Sequence, residues 1–565
     1  MSVTVSEQLP LLAAAPNGIR KLRELILELA VRGKLVAQEA GDEPASELLK
    51  RIAVEKKRLV AEGKIKQQKP LAEIEVEEKP FEVPTSWIWG RLGDLTLKIT
   101  DGTHHSPSNT AVGDFKYISA KNIKPWGIDL REVTYVTSEV HQEIFSRCDP
   151  EEGDVLYIKD GATTGVATIN SLAEPFSMLS SVALLKPSVG LSNAYLLKAM
   201  VSPCFYSEMR AGMTGVAITR VTLAKLNNAI IPLPPLAEQH RIVAKVDELM
   251  ALCDRLEAQQ ADAESAHAQL VATLLDSLTQ ASDADDFAAS WQRLSAHFHT
   301  LFTNESSIDA LKQTLLQLAV MGKLVPQDSS DEPASKLLKH IESVKLRLIE
   351  EDGLRTSARD DVPEDEQYLA VPDGWAYCRL GNLARFIDYR GRTPNKVTAG
   401  VPLITAKNVR FGFVSREPRE FIAESDYSSW MTRGFPRVGD MLFTTEAPLG
   451  NIALVDISER FALAQRVICF QLHELNTGPF LRLAIMSRVV QAQFGEAATG
   501  MTAAGIKASR LKEIPISLPP LAEQHRIVAK VDQLMALCDQ LKSRLIRARQ
   551  LNEQLAGTLV EHAVA

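Results

Sequence analysis

Six cysteines, Cys148, Cys204, Cys253, Cys378, Cys469 and Cys538, are spread over 565 residues with no Cys-x-x-Cys pair. Neither a disulfide framework nor a zinc cluster has the close spacing it needs. No apolar run approaches the ~18 residues of a membrane span. The opening MSVTVSEQLPLLAAAPNGIRKLREL has no basic segment ahead of its short apolar patch, so no secretory signal is read there and a cytoplasmic protein is expected. Catalytic signatures are missing as well. Gly161-Ala-Thr-Thr-Gly165 lacks the Gly-Lys-Ser/Thr ending of a P-loop, and no GxGxxG fingerprint is found. Pro234-Pro235 and Pro519-Pro520 lack the preceding acid or amide and the following aromatic of an amino-methyltransferase motif. Catalysis by this chain alone is not expected. A net charge of −8 argues against a chain that grips a polyanion unaided. The charge is uneven, however: 83–233 has more acids than bases, whereas 371–518 carries Arg379, Arg385, Arg390, Arg392, Arg410, Arg416, Arg419, Arg433 and Arg437.

What is present is repetition. PPLAEQHRIVAKVDELMALCD at Pro234–Asp254 returns as PPLAEQHRIVAKVDQLMALCD at Pro519–Asp539, twenty of twenty-one residues agreeing. LAVRGKLVAQEAGDEPASELLKRI at Leu29–Ile52 returns as LAVMGKLVPQDSSDEPASKLLKHI at Leu318–Ile341. Between these blocks the halves share only scattered residues. One polypeptide therefore holds two nearly identical frames around two different inserts.

After each double proline, apolar residues recur at heptad spacing, through Ile242, Val246, Leu249 and Cys253 and through Ile527, Val531, Leu534 and Cys538. Neither proline nor glycine interrupts Leu236 to about Gln280, so a rod of roughly 65 Å is expected. Its natural mate is the second copy, Leu521 to about Leu555, lying antiparallel so that the two stripes form a helix-pair interface. The upstream blocks read as helices broken at Gly-Lys-Leu-Val and at Asp-Glu-Pro-Ala-Ser, followed by charged linkers at 63–79 and 350–366 expected to be extended or mobile. The inserts open alike, VPTSWIWGRLGDL at Val83 and VPDGWAYCRLGNL at Val371, then alternate short β-branched and aromatic runs with turn residues and end in helix. The fold class expected is mixed α/β: two α/β domains joined by long helices in an antiparallel coiled coil, with an internal pseudo-twofold repeat. The boundaries read are 1–82 helical region and linker, 83–233 first insert, 234–285 central helix, 286–370 repeated helical region and linker, 371–518 second insert, and 519–565 C-terminal helix.

The PLPPLAEQHRIV phrase running into a coiled-coil helix after each variable segment resembles the specificity subunit of Type I restriction-modification systems. LAVRGKLV and LAVMGKLV resemble the longer members of that family. The resemblance implies that each insert is a target recognition domain reading one half of a bipartite, asymmetric DNA site. It implies that the helices space the domains and dock two adenine-N6 methyltransferase subunits, with restriction and motor subunits joining through that core. S-adenosylmethionine, ATP and Mg would then sit on partner subunits, with no cofactor in this chain. A reader from another class stays open, a coiled-coil scaffold whose globular inserts bind proteins.

Base readout needs paired donors and acceptors, Arg or Lys for guanine, Asn or Gln for adenine, Asp or Glu for cytosine. The first insert offers three polar places: the loop with Asp101, Thr103, His104 and His105, then Lys121 and Asn122, then Lys159 and Thr163. The second offers Arg390, Arg392, Thr393, Asn395 and Lys396, then Lys407 and Asn408, then Thr445. DGTHHSP and YRGRTP resemble phrases at the DNA face of the family's domains. Each loop taken singly reads more readily as a solvated turn than as a base reader, and it is the matching positions in the two inserts that bring the two readings level. The Ala-Lys-Asn triplet shared by both inserts fits a backbone contact or a fold-shaping role, because common residues cannot distinguish two targets. No spacing suits a metal at His104-His105, and His240 and His525 are polar positions near a helix start.

Overall fold

The computed structural model describes residues 12, 15–211, 220–282, 284–352, 361–389, 393–499 and 505–564. It divides into two compact units, Met1–Ala263 with Ala548–Ala565, and Glu264–Arg547. Among the described residues no helix is long and apolar enough to cross a membrane. The repeated blocks form α1 (Gly18–Val31), α2 (Ala45–Ala61) and α3 (Leu236–Thr279), and again α4 (Glu305–Val320), α5 (Ala334–Asp352) and α6 (Leu521–Val564). The break after α1 and after α4 needs glycine. Gly33 and Gly322 have φ of +68° and +69°, and a Cβ on either would lie 2.5 Å from Pro84 or Pro372.

α3 and α6 each have 44 residues, about 66 Å of helix at ~1.5 Å per residue. α6 thus runs past the end expected near Leu555. A lone glycine, Gly557, costs a helix only ~1 kcal/mol, and burial of Ala556 with Leu12, Ala15, Leu559 and Val560 offsets it.

Ion pairs inside each unit fix the helix directions. In the first unit Arg23 meets Asp254 (2.5 Å) and Gln38 meets Glu238 (2.6 Å), so α1 runs against α3. Lys21 donates to the Glu553 carbonyl (2.8 Å) and Lys34 to that of Val564 (3.0 Å), so α1 runs with the tail of α6. The α6 tail is therefore antiparallel to α3. The second unit repeats this: Lys542 meets Asp309 (2.9 Å) and Lys312 meets Asp539, setting α4 against α6, while Lys323 donates to the Thr279 carbonyl (3.3 Å) and His267 meets the Thr300 carbonyl (3.2 Å), setting α4 along the α3 tail.

The heptad stripe finds partners beyond the other long helix. Ile242, Val246, Leu249 and Cys253 are buried in the first unit's core with α1 and the insert domain, and Ile527 and Val531 occupy the matching core of the second. Leu534 and Cys538 lie in a further cluster, with Val271, Leu275 and Leu278 of the α3 tail and Ile308, Leu311 and Leu315 of α4. A narrow stripe on a single helix is thus covered by a three-helix arrangement in each unit, which buries more apolar surface than a two-helix seam would.

Each insert begins and ends on adjacent strands. β1 (Ile88–Arg91) pairs antiparallel with Ile230–Leu233, and Ala376–Arg379 pairs the same way with Pro515–Leu518. Beyond that ribbon lies a four-stranded antiparallel sheet. In the first insert its order is β2 (Thr96–Asp101), Val182–Pro187, Val155–Ile158, Ala167–Ile169, and in the second Ala384–Asp388, Val467–Leu472, Met441–Thr444, Ile452–Leu454. A smaller sheet in each contains one parallel pair, Tyr117 with Ser177 and Leu403 with Ala462. The closing helical stretches are each broken at a serine, Ser202 and Ser487.

Three contacts recur identically, the tryptophan joining insert to frame and the other two bracing the frame beneath it. Trp87 donates to Glu238 (2.9 Å) and Trp375 to Glu523 (3.0 Å), Gln38 and Gln327 donate to the same two carboxylates, and Arg241 and Arg526 pair with Asp42 and Asp331. Burial pushes both glutamates up from the ordinary carboxylate range, against the donors that hold them. The first charged linker is extended but tied down: buried Arg91 donates to the carbonyls of Ala72 (2.7 Å) and Glu73 (2.9 Å) and pairs with Glu78. Arg379 likewise pairs with Glu366, while residues 353–360 of the second linker lie outside the described residues.

One structural position separates the two units in acid. His473 follows the last sheet strand where the first insert has Ser188, their backbone N–H groups donating to Leu383 and Leu95 respectively. Burial first, then the charges of Lys345 and Arg437, lower the His473 pKa to about 4. The folded state refuses a proton that the unfolded chain accepts below 6.5, so stability from this residue is lost as pH falls from 6.5 toward about 4. We expect hydrogen exchange in Val467–Leu472 to accelerate over that window and His473→Ser to reduce the change. An identical acid profile in the variant would refute it.

Candidate nucleic-acid interface

The strand register gathers the polar loops at one end of each main sheet. In the first insert Asp101 faces Ala183 and Ile158 faces Val182, so the loop after β2, the turn at 159–166 and Ser181 converge there. In the second, Asp388 faces Ile468 and Thr444 faces Val467, converging the corresponding segments. The ribbon to the frame joins the sheet at the start of β2, the opposite end of that strand.

At the first loop end the candidates separate into two groups. His104, His105, Lys121 and Thr163 are exposed, and Thr103 is half-buried with its hydroxyl bonded to His105. Asp101 and Lys159 are instead buried, and are corrected from readers to supports: the Asp101 carboxylate pairs with Arg147 (2.5 Å) and Lys159 (3.4 Å) and lies 3.4 Å from His104. At 2% exposure this carboxylate does not present an acceptor at the surface. Asn122 is buried too, accepting from Ser119 N–H and donating to the Asp129 carbonyl, and Asn408 repeats this with Thr405 and Ser415. Both asparagines are thus fold-shaping, while their neighbours Lys121 and Lys407 are exposed. Glycine opens the loop because a Cβ on Gly102 would fall 1.7 Å from the Met178 carbonyl oxygen.

At the second loop end Thr393, Asn395 and Lys396 are exposed, with Thr393 donating to Gln465 and Lys396 paired with Glu420 (2.7 Å). Thr445 is buried, its N–H donating to the Arg466 carbonyl, and is likewise a support. Arg390 and Arg392 lie outside the described residues. Reading the sequence missed Arg147 and Arg466, and took Arg433 only as part of a basic count. Arg466 replaces Ser181 at the strand start and pairs with Glu446 (2.8 Å). Only the strand register reveals these residues, since they come from segments remote from the loops. His240 and His525 are exposed near the helix starts, and among the described residues no group of His, Cys, Asp and Glu is placed to hold a metal.

The fold shows two insert domains of one type, each carried on its own copy of the repeated helical block. The Type I restriction modification DNA specificity domain matches twice, at residues 84–264 and 372–548. The chain belongs to the specificity-subunit family of Type I restriction-modification systems. The Type I restriction enzyme EcoEI specificity subunit of Escherichia coli is 37% identical over 97% of this chain and 94% of its own length. The EcoAI specificity subunit of the same organism is 36% identical over the same shares, 97% and 94%. A solved chain from a type I R-M system covers 86% of this chain and 99% of its own at 19% identity, with a TM-score of 0.49.

Proposed function

We propose that this chain selects a bipartite, asymmetric DNA site, each insert reading one half through its loop end, and that it carries no catalytic step itself. In this reading the frame helices set the number of unread base pairs and dock two adenine-N6 methyltransferase subunits, through which restriction and motor subunits join. S-adenosylmethionine, ATP and Mg2+ then belong to those partners. The observation that carries the reading is the contrast between frame and loops. Trp87–Glu238–Gln38 and Trp375–Glu523–Gln327 are the same contact made twice, whereas the loop ends present His104 and His105 in one domain and Thr393, Asn395 and Lys396 in the other. Two identical modules on a symmetric frame would read a palindrome; two unequal ones keep the spacing and lose the symmetry.

Methylation mapping of DNA from cells carrying this chain with its methyltransferase should give adenine marks in a split motif with a fixed gap. Marks in one uninterrupted word, or without sequence preference, would overturn the reading.

A further inference from the structure

Arg147 and Arg433 share one place in the two insert domains, although no shared motif surrounds them. Each lies six residues before a Gly-Asp pair, Gly153-Asp154 and Gly439-Asp440, that leads into the matching sheet strand. Asp154 and Asp440 are both buried and accept a backbone N–H three residues upstream, from Glu151 (2.8 Å) and Arg437 (2.7 Å). Each arginine then reaches the aspartate that ends the matching strand. Arg147 donates to the Asp101 carboxylate and Arg433 to the Asp388 carbonyl.

Both guanidinium groups are held and yet open to solvent. The Arg147 side chain is 50% exposed. Its Nη2 carries both contacts, to Asp101 (2.5 Å) and to His104 Nε2 (2.9 Å). Each bidentate edge of a guanidinium includes Nη2, so neither edge is free to pair with the O6 and N7 of guanine. Nη1 keeps its donors. Arg433 is also exposed, with its guanidinium 6.0 Å from the Tyr389 ring centroid and its backbone N–H donating to the Tyr389 hydroxyl. Lys159 is shared between Asp101 and Asp160, so the buried charges balance and the half-exposed Arg147 guanidinium, through its Nη1 donors, is what the first site offers an anion. A cation common to two domains with different targets carries no sequence information, and the partner suited to it is the part of DNA that is the same everywhere.

We propose that Arg147 and Arg433 are equivalent anchors, each holding one backbone phosphate of the duplex at its domain's loop end and so setting the register in which the neighbouring loops meet the bases. The proposal rests on the DNA-reading function above.

The test compares the full chain in its methyltransferase assembly with Arg147→Gln and Arg433→Gln, titrating salt on a duplex carrying the mapped motif and on a scrambled duplex. Each variant should bind both duplexes on the order of tenfold more weakly. The slope of log K against log salt should flatten by about 0.9 per arginine, with the methylated motif unchanged. A loss confined to the motif duplex, or an altered base in the motif, would make these residues base readers and overturn the proposal. So would an unchanged slope, whether or not the melting temperature falls, since a purely structural role moves stability and not counterion release. If the unaltered assembly binds DNA without sequence preference, the bipartite reading fails, while the slope difference still decides the arginines.

Discussion

Val246→Asp should unfold most of the first unit, and Val531→Asp most of the second. Both valines are fully buried, and each cluster joins the frame helix to the preceding short helix and to the insert domain. Aspartate there places a carboxylate among buried apolar side chains, and must either ionise against the desolvation cost or take up a proton. Either route costs several kcal/mol in addition to the lost packing, against a typical domain stability of about 5–15 kcal/mol. Leu252→Asp is the matched control. It lies on the same helix at 37% exposure, where a substitution is expected to cost within about 0.5 kcal/mol. Thermal unfolding followed by helix signal would separate the two, with Val246→Asp losing a transition that Leu252→Asp keeps. Equal melting of both variants would mean that the stripe is not the core of the unit.

The frame is legible in the sequence because its determinants are local and repeated. A double proline followed by heptad spacing specifies α3 and the start of α6 without reference to anything distant. Its end was less legible: the helix runs to Val564, past the expected end near Leu555, and burial of Ala556 offsets the cost of Gly557. The loop ends were legible as places and less so as residues. Asp101, Asn122, Lys159, Asn408 and Thr445 look like readers because polar residues in and beside turns usually face water, yet each is buried onto a named partner that the folded chain brings to it. Arg147 was invisible for the opposite reason. It stands 46 residues from Asp101, at the end of a helix with no motif, and only folding brings the two together. The first linker is extended, one of the two states its charge allows, and the contacts of Arg91 that tie it down are not announced by its composition.

Replacing residues 92–229 by the corresponding part of another first insert from the family should exchange one half of the recognised sequence and leave the other half and the gap untouched. The ribbon makes these cut points physically reasonable: Ile88 faces Leu233 and Arg91 faces Ile230, so the insert leaves and rejoins the frame at neighbouring backbone positions. A graft there keeps Trp87, Gln38 and Glu238, which fix the frame to the ribbon. It must also carry compatible residues on the helix Asn193–Met200, because Lys198 pairs with Asp247 of α3 (2.8 Å) and the Ser192 N–H donates to Gln239 (2.8 Å). A donor whose helix lacks these contacts would change how the domain is seated as well as what it reads. With a compatible donor, affinity for the original first half-site should fall toward the nonspecific level, a drop of at least roughly 10³-fold, while the second half-site is read as before. Methylation mapping reads all three quantities at once. A change in both half-sites together, or in the gap alone, would show that the insert and frame act as one body and that the duplicated contacts do not insulate one reader from the other.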